Sequence, residues 1–122
     1  MAFLDETGLA ELWSLVRNAD VKIATGNYTG TGTYGASKPN SLAFDFTPKV
    51  VFITIAGESA STPQIACYVY GMSKMSIVSS NSNWSTLATV STSGNTMTWY
   101  APANANQQMN NGEYTYHYVA IG

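Results

Sequence analysis

The residues best suited to acid-base or nucleophilic catalysis are few in this sequence and stand far apart. His117 is the single histidine, so a Ser-His-Asp or Cys-His triad would have to include it. Within residues 114–119 it alternates with tyrosines, which predicts a structural or surface position on the other face of a strand. The seven acidic residues are dispersed, whereas a glycosidase needs two carboxylates across a cleft. We expect no enzyme activity; the enzymatic alternative is a cell-wall hydrolase that uses Glu58 or Glu113.

Residues 30–35 read Gly-Thr-Gly-Thr-Tyr-Gly and so match the G-x-G-x-x-G pattern of dinucleotide-binding sites. Such a site requires the glycines to open a helix whose N-terminus meets the pyrophosphate. Residues 36–40 favour a turn instead, so the segment is predicted to be a glycine-rich β-bend. Zinc sites need clustered Cys and His, calcium sites need grouped acids, and the sequence has neither. No cofactor and no metal site are therefore predicted.

Neutral polar side chains are the groups that this chain offers for binding. Asp, Glu, Lys and Arg make up 10% of the residues, against roughly 25% in a typical domain. With a net charge of −2 and five scattered cations, the chain is poorly suited to a phosphate backbone, and no nucleic-acid partner is expected. Amide groups, by contrast, match sugar hydroxyls. The expected ligand-binding residues are Trp84, Asn83, Asn106, Gln107 and Asn110, with ordinary solvated loops as the alternative.

Aromatic and sulfur-bearing residues of the β-rich region lead to two further expectations. Tyr114, Tyr116 and Tyr118 share one face of the last strand-like segment. A core or inter-subunit face is the first interpretation, because tyrosine packs a flat ring and satisfies its hydroxyl at an edge; a sugar-stacking platform is the alternative. Cys67 lies in the apolar run at residues 65–70, which predicts a buried, unreactive thiol. A single cysteine also excludes an intramolecular disulfide.

One amphipathic helix is predicted at the N-terminus. Leu9, Leu12, Trp13 and Val16 recur at i, i+3, i+4 and i+7, and the pattern ends near residues 18–20. Helices shorter than about 12 to 15 residues are marginal alone in water, so this apolar stripe must pack against another surface. We predict that residues 1–20 form an oligomerisation and attachment segment with these four residues at the interface.

The rest of the chain, residues 21–122, has the pattern of an antiparallel β-domain. Apolar residues alternate at 42–46, and residues 50–55 are typical of a strand buried on both faces. Further β-rich runs at 65–70, 76–78, 86–91, 96–100 and 114–121 are separated by turn residues, with a tight hairpin at 93–95. This pattern predicts a mainly β fold, an antiparallel and jelly-roll-like β-sandwich preceded by one short N-terminal α-helix.

Two parts of the sequence resemble a known group of proteins. Residues 3–16 resemble the "LDxxGLxxLWxxI" segment that opens tail-fibre-like and small structural proteins in phages and prophages of Gram-positive gut bacteria. Residues 24–32 and 40–51 resemble a β-domain of the same proteins, with the pattern "G-x-Y-x-G-x-G … L-x-F-x-F-x-P-K-x-V". That domain commonly closes with a "Y-x-Y-x-A-I-G"-like strand, as residues 116–122 do. Residues 57–112 match no pattern of the family, so no binding residue is transferred to them.

The resemblance implies a non-enzymatic virion structural protein, either a homotrimeric fibre or a decoration module. Its partners would be sister chains, other virion proteins docked through the N-terminal helix, and host cell-surface glycans. A scaffold that docks to the virion without a host ligand is the alternative. The first residues lack the basic region of a signal peptide, and the longest apolar run is too short to cross a membrane. We therefore expect synthesis in the host bacterial cytoplasm, location on the virion and no membrane insertion.

Overall fold

The computed structural model of the chain describes residues 6–18, 21–55, 63–79 and 84–122. One helix precedes a run of strands, and a single 3₁₀ turn, Asn106–Gln108, lies before the last strand. The elements are α1 (Glu6–Asn18), β1 (Ile23–Thr29), β2 (Asn40–Ala43), β3 (Val50–Ile55), β4 (Gln64–Val69), β5 (Lys74–Ser79), β6 (Trp84–Ser93), β7 (Thr96–Tyr100) and β8 (Thr115–Ile121). The predicted mainly β chain with one short N-terminal helix is confirmed.

The described strands form one eight-stranded antiparallel sheet in the order β1-β8-β3-β4-β5-β6-β7-β2. The sheet curls so that its two ends approach each other. The ring of Tyr28 on β1 lies 6.1 Å from that of Trp99 on β7, and Phe44, just after β2, lies 5.9 Å from Tyr118 on β8. The predicted jelly-roll sandwich is not confirmed, because the described strands all belong to one curled sheet.

The core lies inside the curl and is filled by every second residue of each strand. On β3 the inward residues Val51, Ile53 and Ile55 are buried, whereas Phe52 between them keeps 41% of its surface exposed. The prediction that residues 50–55 are buried on both faces is therefore wrong for the single chain. Only the inner face of β3 is covered, by residues from the other strands of the same sheet.

The alternation of inward and outward side chains predicted for residues 42–46 continues beyond the end of β2. Pairing of β2 with β7 ends at Ala43, which lies opposite Thr96, because the next residues of the partner form the turn of the β6–β7 hairpin. Phe44 instead donates its backbone N–H to the carbonyl of Asn95 at 3.0 Å. Phe44 and Phe46 still point inward and are buried in the core. The tight hairpin predicted at 93–95 is confirmed, since Ser93 pairs with Thr96.

The predicted helix is present, and its apolar stripe lies open. Leu9, Leu12 and Trp13 are 46% to 59% exposed, so α1 does not bury this stripe against the sheet of its own chain. The side chain of Val16 lies outside the described residues. In the part of the chain that the structure describes, no helix is long and apolar enough to cross a membrane.

Candidate functional site

A cleft opens at the seam of the curled sheet, where the terminal strands β1 and β2 face each other without pairing. We call it the seam cleft; its volume is about 230 Å³. Drug-sized ligands occupy pockets of roughly 300 to 1,000 Å³, so this cleft suits a single ring or a short polar group. Its lining residues come from β1, β2, β7 and two loops: Tyr28, Thr29, Thr31, Thr33, Pro39, Asn40, Ser41, Trp99 and Asn110.

The glycine-rich segment at residues 30–35 forms one wall of the seam cleft. Gly30 packs so closely against the 110–111 backbone that a Cβ at this position would overlap the carbonyl oxygen of Asn111. Gly32 and Gly35 have φ values of +78° and +93°, which side-chain-bearing residues rarely adopt. No helix follows, because the next described element is β2. The predicted β-bend is therefore confirmed, and the segment lacks the helix N-terminus that a dinucleotide site requires.

Gln108 holds the two loops of the seam together from inside the protein. Its side chain is fully buried and makes four hydrogen bonds. The Oε1 atom accepts from the backbone N–H groups of Gly35 and Ala101, both at 2.9 Å. The Nε2 atom donates to the carbonyl of Lys38 at 2.8 Å and to Oδ1 of Asn40 at 3.0 Å. The side-chain amide of Gln108 is therefore hydrogen-bonded to the end of β7, to the glycine-rich wall and to the start of β2.

Asn110 also connects the two loops of the seam through its side-chain amide. Its Oδ1 accepts from the backbone N–H of Thr31 at 3.0 Å, and its Nδ2 donates at 2.8 Å to both the hydroxyl of Thr31 and the carbonyl of Thr33. The side chain is buried, although it lines the cleft. Asn110 was expected to bind a ligand, and the structure commits both ends of its amide to the protein.

Two of the residues that line the seam cleft, Tyr28 and Trp99, are aromatic. Tyr28 stacks on Tyr116 with ring centroids 5.1 Å apart and meets the edge of Trp99. Its hydroxyl donates to the carbonyl of Met109 at 2.8 Å, and Trp99 Nε1 donates to the carbonyl of Gln108 at 2.9 Å. Burial raises the pKa of Tyr116 to about 12 and raises the pKa of Tyr28 well above its usual value. Both phenols therefore remain neutral across the physiological pH range.

The rim of the seam cleft carries hydroxyl groups with spare hydrogen-bonding capacity. Thr31 bonds the hydroxyl of Thr33 at 2.8 Å, while Ser41 makes only a long contact of 3.4 Å to Thr98. A hydroxyl provides one donor and two acceptor positions, so these groups can also bond a ligand. Among the described residues that line the cleft, none carries a charge. The arrangement favours a neutral, hydroxyl-bearing ligand over a phosphate or a carboxylate.

The other residues expected to bind a ligand do not line the seam cleft. Trp84 opens β6, where it is half-buried and packs against the core, and Asn83 lies outside the described residues. Asn106 is exposed in the 3₁₀ turn, where its Oδ1 accepts from Asn111 Nδ2 at 2.7 Å. Gln107 follows it in the same turn and is half-buried. The expected set therefore splits between the seam, the start of β6 and the 3₁₀ turn.

Tyr28, Asn40 and Ser41 line the cleft but were not among the expected ligand-binding residues. Tyr28 and Asn40 occupy half-buried positions on opposite edge strands, and only the curling of the sheet brings them to one site. The signal available in the sequence was the glycine-rich segment between them, which marks a close approach of two backbone segments.

The groups suited to catalysis lie apart in the described part of the chain. His117 is exposed on the outer face of β8, opposite Asn27 and Thr54. Asp45 and Glu113 are exposed in loops, and Glu58 lies outside the described residues. Among the described residues, no three of the types His, Cys, Asp and Glu come close enough together to hold a metal ion.

Comparison with known protein families, with curated proteins and with solved structures finds no match for this chain.

Proposed function

We propose that this chain is a non-enzymatic structural module of a phage-type virion, which self-associates through α1 and carries its β-domain outward as part of a fibre or decoration. The observation that carries the proposal is the open apolar stripe of Leu9, Leu12 and Trp13. The resemblance of residues 3–16 to the opening segment of phage fibre-like proteins supports it, as does the low charge of the chain.

The energetics of a short helix support self-association. A 13-residue helix is marginal in water, and leaving large apolar side chains half exposed weakens it further. Burying a leucine or tryptophan side chain stabilises an assembly by roughly 1.5 to 3 kcal/mol. Three copies of the stripe packed around a common axis bury one another, and closed rotational symmetry is the usual arrangement of identical chains. A trimer is the state that the resemblance implies.

Light scattering on the intact chain tests this proposal. At micromolar concentration we expect the mass of three 13.1-kDa chains. Dilution should shift the mass towards the single chain, because short helical interfaces dissociate readily. A monomer that persists at the highest concentration reached would contradict the proposed function.

Recognition of neutral glycans is a second candidate function, and the uncharged seam cleft is the observation that favours it. The residues that line the cleft include Thr33 and Ser41 together with the aromatic residues Tyr28 and Trp99. This combination pairs hydrogen bonds to sugar hydroxyls with apolar contact to a sugar ring. The site of contact would be the seam rather than Trp84 and the 3₁₀ turn.

Binding to an array of bacterial cell-wall glycans separates these possibilities. Ser41→Leu places a larger side chain at the rim of the seam cleft and should weaken binding at least about tenfold, which corresponds to ~1.4 kcal/mol. Ser91→Leu is the matched control, because Ser91 flanks Thr98 from the opposite side and does not line the cleft. Loss of binding in Trp84→Ala alone would move the site to the start of β6. If the unmodified chain binds no glycan on the array, the alternative of a virion scaffold protein without a host ligand would be favoured.

A further inference from the structure

The outer surface of the sheet carries an apolar patch that the curl leaves uncovered. Residues that point away from the core on neighbouring strands come together there, since Phe52 pairs with Val119 on one side and with Cys67 on the other. Ile65 likewise pairs with Val78. We call this surface the outer apolar face; its large side chains are Phe52, Ile65, Val69, Val78, Leu87 and Val119.

The area of this face is large for an isolated chain. The six side chains are 38% to 60% exposed and together present on the order of 500 Å² of apolar surface. The largest apolar patch of a typical monomer measures roughly 300 to 600 Å². A standard protein interface buries about 800 Å² per partner, of which a little over half is apolar. The outer apolar face therefore supplies the apolar share of one such interface.

The charge distribution indicates what covers the face. Serine, threonine and cysteine occupy the positions between the apolar residues: Thr54, Cys67 and Ser76. Lys74 lies at the end of β5 and donates to the hydroxyl of Thr89 at 2.8 Å. His117, opposite Thr54 on β8, and Lys74 border the face, and its centre is uncharged. Two identical copies therefore meet there without like-charge repulsion, and the centre offers nothing to a charged partner. The helix of the same chain is not the occupant, because its own stripe is also exposed.

We infer that the outer apolar face is an interface at which the β-domains of two copies of this chain pack together, with Cys67 near its centre. This inference rests on the proposed self-association and adds a second contact to it, separate from α1. Because two identical faces pair with each other, this contact joins chains of different trimers, and the mass should rise from three chains towards six as the protein concentration increases. Face-to-face packing of two sheets places them about 10 Å apart, a distance that excludes water from the interface. The half-exposed thiol of Cys67 then becomes buried in the assembly.

The reactivity of Cys67 tests the inference directly, because it is the single cysteine of the chain. A small maleimide reagent labels the thiol of the intact protein over a series of protein concentrations, and light scattering gives the mass of the same samples. We expect labelling to slow at least about tenfold as the chain associates, which corresponds to ~1.4 kcal/mol of protection. Leu87→Lys should keep labelling fast at every concentration, because it places a charge on the face.

Ile65→Lys repeats the test from another strand, and circular dichroism establishes that each variant is folded. Tyr34→Lys is the control, since Tyr34 is also exposed but lies in the glycine-rich loop. If light scattering shows that the chain is assembled while Cys67 is labelled equally fast at every protein concentration, the inference is overturned. Assembly through α1 would be unaffected by that result. A chain that stays monomeric would instead overturn the proposed function as well. If Cys67 is still protected on association in both folded lysine variants, its thiol is covered without the apolar contacts of Leu87 and Ile65, and the inference is overturned.

Discussion

Replacing Gln108 by leucine is expected to lower the free energy of unfolding by about 3 to 5 kcal/mol. Leucine has nearly the same volume but no polar atoms, so the four hydrogen bonds of the Gln108 side chain are lost together. The N–H of Ala101 and the carbonyl of Lys38 lose the partner that Gln108 gives them. The N–H of Gly35 keeps its second acceptor, the carbonyl of Ala101 at 3.1 Å. A buried polar group without a partner costs about 1 to 3 kcal/mol, and only part of that cost is relieved by relaxation.

The neighbouring residue provides a matched control for this substitution. Gln107 has the same side chain but lies only half-buried, and its backbone N–H rather than its side chain bonds Asn104. Gln107→Leu should therefore change stability by less than about 0.5 kcal/mol. Urea denaturation measures both variants, with an unchanged slope as the sign that stability alone has changed. Equal effects of the two substitutions would contradict the role given to Gln108.

Most of the strands were predictable from sequence, although β1 was not singled out, whereas the shape of the sheet was not predictable. Alternation at residues such as Val51 and Ile53 tells which side of a strand faces a core. It does not tell whether that core is closed by a second sheet or by the same sheet curled over. The curl depends on pairs far apart in sequence, such as Ile23 with Ile121, which no local pattern indicates. The sandwich was therefore inferred from alternation, which carries no information on closure, and it is not confirmed.

Two predictions of burial failed on the same surface. Residues 50–55 were expected to be buried on both faces, and Cys67 was expected to be a buried thiol. The single chain exposes Phe52 and half-exposes Cys67, which are paired neighbours on the outer apolar face. Packing of a second copy on this face would bury both. The apolar residue types at these positions would then match their burial in the assembly rather than their exposure in the isolated chain.

The amide-rich segment shows why the candidate site was only partly predictable. Residues 104–112 are rich in amide side chains, and two of these, Gln108 and Asn110, turn inward. In a strand, every second residue faces inward, so the sequence shows which side chains are buried. This loop has no such period, because Met109 reverses the chain with a φ of +58°. The side chains that hold the seam together therefore could not be distinguished by sequence from those that face solvent.

Removing the apolar stripe of α1 should disperse the proposed trimer. In a chain that carries both Leu12→Ser and Trp13→Ser, each subunit loses two side chains that are about half exposed in isolation and available for burial. Because about half of each side chain remains to be buried, each contributes roughly 0.7 to 1.5 kcal/mol. A trimer loses six such side chains, so its overall dissociation constant should rise at least about 100-fold. Light scattering over a dilution series measures this shift as a loss of mass at concentrations where the unmodified chain is assembled.

Glu11→Ser is the control for helix propensity, because Glu11 is an exposed polar residue of the same helix. It should leave the mass unchanged. An assembly that survives the double substitution would show that α1 is not the main contact, and Leu87→Lys would then be expected to disperse it instead. If both changes are needed to obtain monomers, the helix and the outer apolar face each hold the chains together independently. In that case the loss in the combined variant should equal the sum of the separate losses, since distant sites contribute additively.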